Sequence, residues 1–64
     1  MLINIEIERN KASISNNKLA AKLNIRKKKL KKWISCQEAI PASKLIEMSQ
    51  IFGGCSVDYL LERN

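Results

Sequence analysis

The 64-residue chain contains no histidine, and this absence removes the side chain most often used for proton transfer and metal binding near neutral pH. Its six acidic residues are scattered along the sequence rather than grouped. Neither acid–base nor nucleophilic catalysis has an evident set of residues here. We therefore expect neither an enzyme nor a protein that carries a cofactor.

Cysteine is scarce as well, with Cys36 and Cys55 far apart in the chain. Two cysteines make at most one disulfide, and without histidine they cannot by themselves supply a structural zinc site. Two free thiols are typical of a reducing compartment. The chain also lacks an apolar run of about twenty residues and a signal-peptide pattern, so we expect a soluble cytoplasmic protein with no membrane segment.

Acidic residues are few compared with basic ones. The chain has six acidic residues and twelve Lys and Arg residues, so its net charge is +6. A basic balance of this size favours nucleic acid or another anionic surface as the partner. The length predicts one domain, residues 1–64, with a modest core. Such a small domain depends on well-packed helices, and a second subunit is a further source of stability.

Residues 15–34 predict two short helices separated by a tight turn. Ser15 stands where its hydroxyl can cap the first helix, and Asn24 readily takes the left-handed conformation that ends one. The first helix has its apolar residues at helical spacing. These are Leu19, Ala20 and Leu23.

The second of these helices, about residues 27–34, predicts a buried side formed by Leu30, Trp33 and Ile34. Trp33 is expected in the core rather than as a platform for base stacking. The cations of this segment would then face solvent or an anion, and their mutual repulsion favours the anion. The alternative is a basic face that only meets water. The cations are Arg26, Lys27, Lys28, Lys29, Lys31 and Lys32.

The rest of the chain predicts three more helices and an all-α fold. Isoleucines alternate near the N-terminus, which is also typical of a strand, but helical spacing favours a helix over residues 3–11. Pro41 is expected to open a fourth helix that ends at Gly53-Gly54, and Ser56 to cap a last helix over 57–63. The fourth helix has a predicted inward stripe of Leu45, Ile46, Met48, Ser49 and Phe52.

The segment Asn16 to Ile34 resembles the helix-turn-helix of the Xre family, the lambda-repressor-like domains. The shared pattern is Leu19-Ala20, Leu23-Asn24-Ile25, Leu30 and Trp33, and the stretch from Phe52 to Leu61 is similar to the family's closing segment. The resemblance implies a five-helix lambda-repressor-like domain with the helix-turn-helix at helices 2 and 3. It also implies a transcriptional regulator that binds double-stranded DNA sequence-specifically.

Residue roles follow from the same resemblance. Lys27, Lys28 and Lys32 would face base edges in the major groove, whereas Arg26, Lys29 and Lys31 would favour phosphates. Asn16 corresponds to a family residue that contacts phosphate, and Ser35 and Gln37 fall in a loop that approaches the phosphates.

Arg9 matches a family arginine whose usual acidic partner is replaced here by Ile34. We therefore expect Arg9 to be exposed, with pairing to Glu38 as the alternative. Cys36 stands where relatives have glycine.

Two further questions stay open in the sequence. The segment Tyr59-Leu60-Leu61 suits either closure of the core or the surface of a homodimer, the form in which relatives bind DNA. A different class of function is a helix-turn-helix-shaped module that docks on another protein, such as an anti-repressor. A membrane-surface role is disfavoured, because the apolar side of the basic helix is needed for the core.

Overall fold

The computed structural model of this chain describes residues 1–63; Asn64, the last residue of the predicted domain, lies outside the described residues. Residues 1–63 form five helices and no strand. The predicted all-α class with five helices is therefore confirmed. The helices are α1 (Ile3–Lys11), α2 (Asn16–Lys22), α3 (Lys27–Ile34), α4 (Ala42–Ile51) and α5 (Val57–Leu60).

The alternating isoleucines belong to α1, which has the predicted bounds of residues 3–11. Ile5 is fully buried and Ile7 is largely exposed, so one side of a helix accounts for their pattern. Asn4 is buried beside Ile5, and its Nδ2 donates to the carbonyl oxygen of Tyr59 at 2.8 Å. This hydrogen bond satisfies a polar group inside the core and joins α1 to α5.

One apolar core draws on all five helices. Burial of a large aliphatic or aromatic side chain stabilises a fold by roughly 1.5–3 kcal/mol, so a few such residues dominate the stability of a small domain. Those with the largest fully buried side chains are Ile5, Leu19, Leu23, Leu30, Trp33, Met48 and Leu60.

Two serines begin helices as predicted. Ser15 Oγ accepts a hydrogen bond from Lys18 N at 3.1 Å, and Ser56 Oγ accepts one from Tyr59 N at 3.0 Å. Each bond satisfies a backbone donor that has no partner inside its own helix. Arg26 and Pro41 hold the same position before α3 and α4 but provide no side-chain cap. Pro41 thus precedes the helix that it was predicted to open.

Four helices end in the same way, with a left-handed residue just beyond the cap. These residues are Ser13, Asn24, Cys36 and Gly53, with φ between 56° and 87°. In each case the next residue donates its N–H to a carbonyl five positions back, as Ile25 N does to Ala20 O at 2.9 Å. The left-handed Asn24 confirms the prediction, and Cys36 takes the conformation that glycine would adopt at lowest cost.

Three expectations for the C-terminal half are wrong in detail. Ile46 is more than half exposed, because Leu45 and Met48 turn α4 toward the core and Ile46 lies on its flank. Phe52 is only partly buried. The last helix ends at Leu60 rather than near residue 63.

Side chain and backbone bonds fix α3 and its neighbours. Lys44 Nζ donates to Leu23 O at 2.7 Å, which ties α4 to the carboxyl end of α2. Leu2 N donates to Ile34 O at 2.8 Å and holds the N-terminal segment against the end of α3. The two helices α2 and α3 also pack against each other. The N-terminal segment and α2 thereby hold α3 in place, and α4 is tied to α2 in turn.

The left-handed end of α1 offers a test of local strain. We expect Ser13→Gly to stabilise the protein by about 0.5–1 kcal/mol, since an L-residue pays for positive φ and glycine does not. Ser13 is exposed, so no packing is lost. The matched control is Ala12→Gly, at φ −83°, which should instead destabilise by about 0.5–1 kcal/mol. Urea unfolding measures both, and the same sign for both would contradict the assignment.

Candidate nucleic-acid interface

The helix α3 separates apolar and basic side chains completely. Leu30, Trp33 and Ile34 are 0–7% exposed, as predicted. Because successive residues turn by about 100°, the remaining positions form one outward arc. The predicted cations from Arg26 to Lys32 are all exposed. Trp33 is therefore a core residue and is not available to stack on a base.

Burial on one side of α3 outweighs repulsion on the other. Like charges four residues apart, here Lys27 with Lys31 and Lys28 with Lys32, cost a few tenths of a kcal/mol each. Each of the three buried apolar side chains contributes roughly 1.5–3 kcal/mol. The helix therefore forms and carries its cations outward as a consequence of the core.

The start of α3 is electrostatically unfavourable in isolation. Arg26 makes no side-chain cap, and the first turn has no acidic residue. Three lysines, Lys27 to Lys29, stand instead at the positive end of the helix dipole. Cations there destabilise a helix by roughly 0.3–1 kcal/mol, and an anion would reverse the effect.

One edge of α3 meets the start of α2 in a cavity of about 220 Å³. This cavity brings together three of the predicted contact residues, Asn16, Lys31 and Ser35, and its lining also includes Glu6, Met1 and Ile34. Asn16 Oδ1 is buried and has no hydrogen-bond partner among residues 1–63. Lys31, Ser35 and the amide nitrogen of Asn16 can donate to an anion here, whereas the unpartnered Oδ1 is an acceptor and would need a donor.

The opposite edge of α3 forms a groove of about 320 Å³. Its cations are Arg26, Lys28, Lys29 and Lys32, with Ile25 and Glu38 completing the lining. Glu38 Oε1 lies 2.7 Å from Lys29 Nζ, and Glu38 Oε2 lies 3.6 Å from Lys32 Nζ. This edge is therefore partly neutralised, while the edge with Lys31 has no such ion pair among the described residues.

The hydrogen bond from Lys29 lowers the pKa of Glu38 below its ordinary value, and the charges of Lys29 and Lys32 lower it further. Because this pKa is lower in the folded protein than in the unfolded chain, the pair stabilises the fold above the ordinary carboxyl pKa. The contribution is lost as pH falls through the folded pKa. Glu38 is therefore ionised at neutral pH.

Two predicted contact residues, Gln37 and Lys27, line neither the cavity beside Asn16 nor the groove beside Glu38. Gln37 lines another cavity, of about 510 Å³, together with Trp33, Leu61 and Arg63. Lys27 is exposed at the start of α3 and borders none of the three cavities. The predicted set is therefore divided among two edges, one end and a separate cavity.

The expectation for Arg9 is wrong. Arg9 Nη2 lies 2.8 Å from Glu6 Oε2, one helical turn earlier, and Nη1 donates to Ile14 O at 2.8 Å. Its side chain is only 14% exposed. The helical form of α1 provides Glu6 as the partner, and Glu38 is engaged by lysines of α3 instead.

The segment Tyr59-Leu60-Leu61, for which core closure and a dimer surface were both open, divides between buried and exposed residues. Leu60 is fully buried in the core and is unavailable to a partner. Tyr59 is partly buried, and its hydroxyl donates to Glu8 Oε2 at 3.1 Å. Leu61 is 41% exposed, so it is the residue of the three that a second molecule could reach most easily.

Glu38 is the site residue whose role the sequence did not reveal. It follows Lys29 by nine positions and lies beyond the end of α3, so helical periodicity says nothing about their contact. The contact depends on the path of the loop. The left-handed backbone at Cys36 turns the chain back toward α3. Knowledge of that conformation would have revealed the contact.

A membrane-spanning helix and a metal-binding cluster are both absent from residues 1–63. None of the helices has both the length and the apolar character that crossing a membrane requires. No group of three or more cysteine and acidic side chains is placed to hold a metal ion within this range.

No protein-family model, curated protein or solved structure matches this chain. What α3 can bind follows from its own side chains and their surroundings.

The ion pair of Glu38 can be tested by its titration. We expect Lys29→Gln to raise the pKa of Glu38 more than Lys32→Gln does, since Lys29 is the closer partner and donates the hydrogen bond. Carboxyl NMR over a pH series measures both. Equal pKa values in the two variants and the unmodified protein would contradict the contact.

Proposed function

We propose that the protein is a transcriptional regulator that binds double-stranded DNA through a helix-turn-helix formed by α2 and α3. In this proposal the domain is of the lambda-repressor-like type, in the Xre family, and acts in the cytoplasm. The observation that carries it is the division of α3 into a buried apolar side and an outward side of exposed cations. Such a helix offers an anionic groove a dense set of donors.

The dimensions of α3 support the proposal. Eight residues give a helix about 12 Å long, and the major groove of B-DNA admits one α-helix. The two edge cavities lie on either side of the outward arc, where the walls of a groove would bring phosphates. Asn16, Lys31 and Ser35 would meet one wall, and Arg26 with Lys29 the other.

The choice of lysine sets the expected kind of recognition. Lys27, Lys28 and Lys32 are the proposed base-edge contacts, and a lysine can donate to guanine O6 and N7. An ammonium group is a point charge without the fixed fork of arginine, so it discriminates less by geometry. We therefore propose strong electrostatic binding, with a preference for G-containing sites rather than strict selection.

A homodimer on a symmetric DNA site is part of this proposal. One eight-residue recognition helix reads only a few base pairs, and pairing two copies places two such helices about one helical turn apart. Leu61 is the exposed apolar side chain near the C-terminus that could contribute to the interface.

A second candidate is a module that docks on another protein through its apolar surface. Ile46, Leu61, Ile7 and Met1 are each more than 40% exposed, and they offer contacts outside the basic face. In that case the lysines would serve solubility or meet an acidic partner.

Single lysine variants separate these functions. Changing Lys27 or Lys28 to Ala should cost about 1–3 kcal/mol on the preferred duplex and less on a scrambled one, because base contacts carry the preference. Changing Lys31 to Ala should weaken both duplexes alike and lower the salt slope by about one. Titrations at several salt concentrations measure these effects.

Leu30→Ala is the control for folding, since loss of this buried side chain should cost roughly 2–5 kcal/mol of stability without a change in preference. If Lys27→Ala and Lys28→Ala remain folded and keep both affinities, the groove model fails. The protein-docking module then becomes the better explanation.

Stoichiometry tests the dimer. We expect two protomers on one symmetric duplex in analytical ultracentrifugation, and weaker self-association without DNA, because little apolar surface is exposed near Leu61. A single protomer that binds with full affinity and admits no second copy would rule out the dimer.

A further inference from the structure

Glu38 is placed where an anion bound to α3 would be placed. Its two carboxylate oxygens face two cations one turn apart, Lys29 at 2.7 Å and Lys32 at 3.6 Å. Among residues 1–63 no other carboxylate approaches a cation of α3 within 4.0 Å. The carboxylate therefore occupies one specific part of the basic face.

The backbone directs Glu38 to this position. Gln37 N and Glu38 N both donate to Lys32 O, at 2.8 and 3.3 Å, and the left-handed Cys36 turns the chain back. The loop is thus fastened to the last turn of α3. The Glu38 side chain remains 35% exposed, so solvent reaches the ion pair.

We propose that Lys29 forms a phosphate-binding site, flanked by the base-edge contact Lys32, and that the Glu38 carboxylate occupies this pair of lysines in the free protein. Glu38 is then an internal competitor of the DNA backbone, and it lowers affinity for every duplex irrespective of sequence. This inference rests on the proposed DNA-binding function and adds a regulatory contact to it.

The competition follows from shared chemistry. A carboxylate and a phosphate diester both present anionic oxygens to an ammonium group. When a phosphate takes Lys29, Glu38 loses its closest partner and remains near the incoming negative charge. Both effects oppose binding, and neither depends on which bases are present. On the other edge Glu6 lines the cavity of Lys31 and Asn16, but its carboxylate is paired with Arg9 at 2.8 Å rather than with a cation of α3.

The experiment compares Glu38→Gln with Glu62→Gln. Each variant raises the net charge by one unit, and Glu62 has no ion pair with α3. We expect Glu38→Gln to bind both a preferred and a scrambled duplex about threefold or more tightly than Glu62→Gln. Its salt slope should be steeper by about one, because a freed lysine gains a phosphate contact.

A protein that also carries Lys29→Gln and Lys32→Gln distinguishes competition for these lysines from direct repulsion between Glu38 and DNA. There, Glu38→Gln should bind no better than Glu62→Gln in the same background, since the pair it would release is gone. An undiminished advantage would overturn the proposal, because Glu38 would then act on DNA directly. Equal affinities of the two single variants would overturn it as well.

Heparin chromatography keeps the two proposals separable. If the unmodified protein binds no duplex even at low salt, the proposed function fails. The competitor model still predicts that Glu38→Gln elutes from heparin at higher salt than Glu62→Gln, since heparin is also a polyanion. Identical elution would refute the competitor model.

Discussion

Burial of one side of α3 is the constraint on which the molecule depends. Leu30 and Trp33 lie at the centre of a small core, and Ile34 completes the same side. Because these residues can only point inward, the cations between them can only point outward. The basic surface is therefore a product of the fold, and its stability is provided by burial rather than by charge.

Much of this arrangement could be predicted from the sequence because it is local. Helical spacing identified α3 and its buried side, and the serine caps and Asn24 identified the ends of helices. What the sequence could not provide depends on where loops go and how helices rotate. The partners of Arg9 and Glu38, the exposure of Ile46 and the burial of Leu60 are of this kind.

The two edges of α3 differ in their ion pairs, which the net charge of the chain does not reveal. Asn16 and Lys31 share a cavity on one edge, with a buried amide oxygen that lacks a partner among residues 1–63. On the other edge Glu38 binds Lys29 and approaches Lys32. The net charge of +6 thus describes an uneven surface, because among residues 1–63 the ion pairs of α3 lie on the Glu38 edge alone.

The central claim is that α3 and the start of α2 form the surface that meets DNA. The most direct measurement is an amide NMR titration of the labelled protein with a short duplex at physiological salt. The account predicts shifts concentrated at Asn16, over residues 26–32 and at Ser35, with α4 little changed. Shifts centred on Ile46 or Leu61, with residues 26–32 unaffected at saturating duplex, would contradict it.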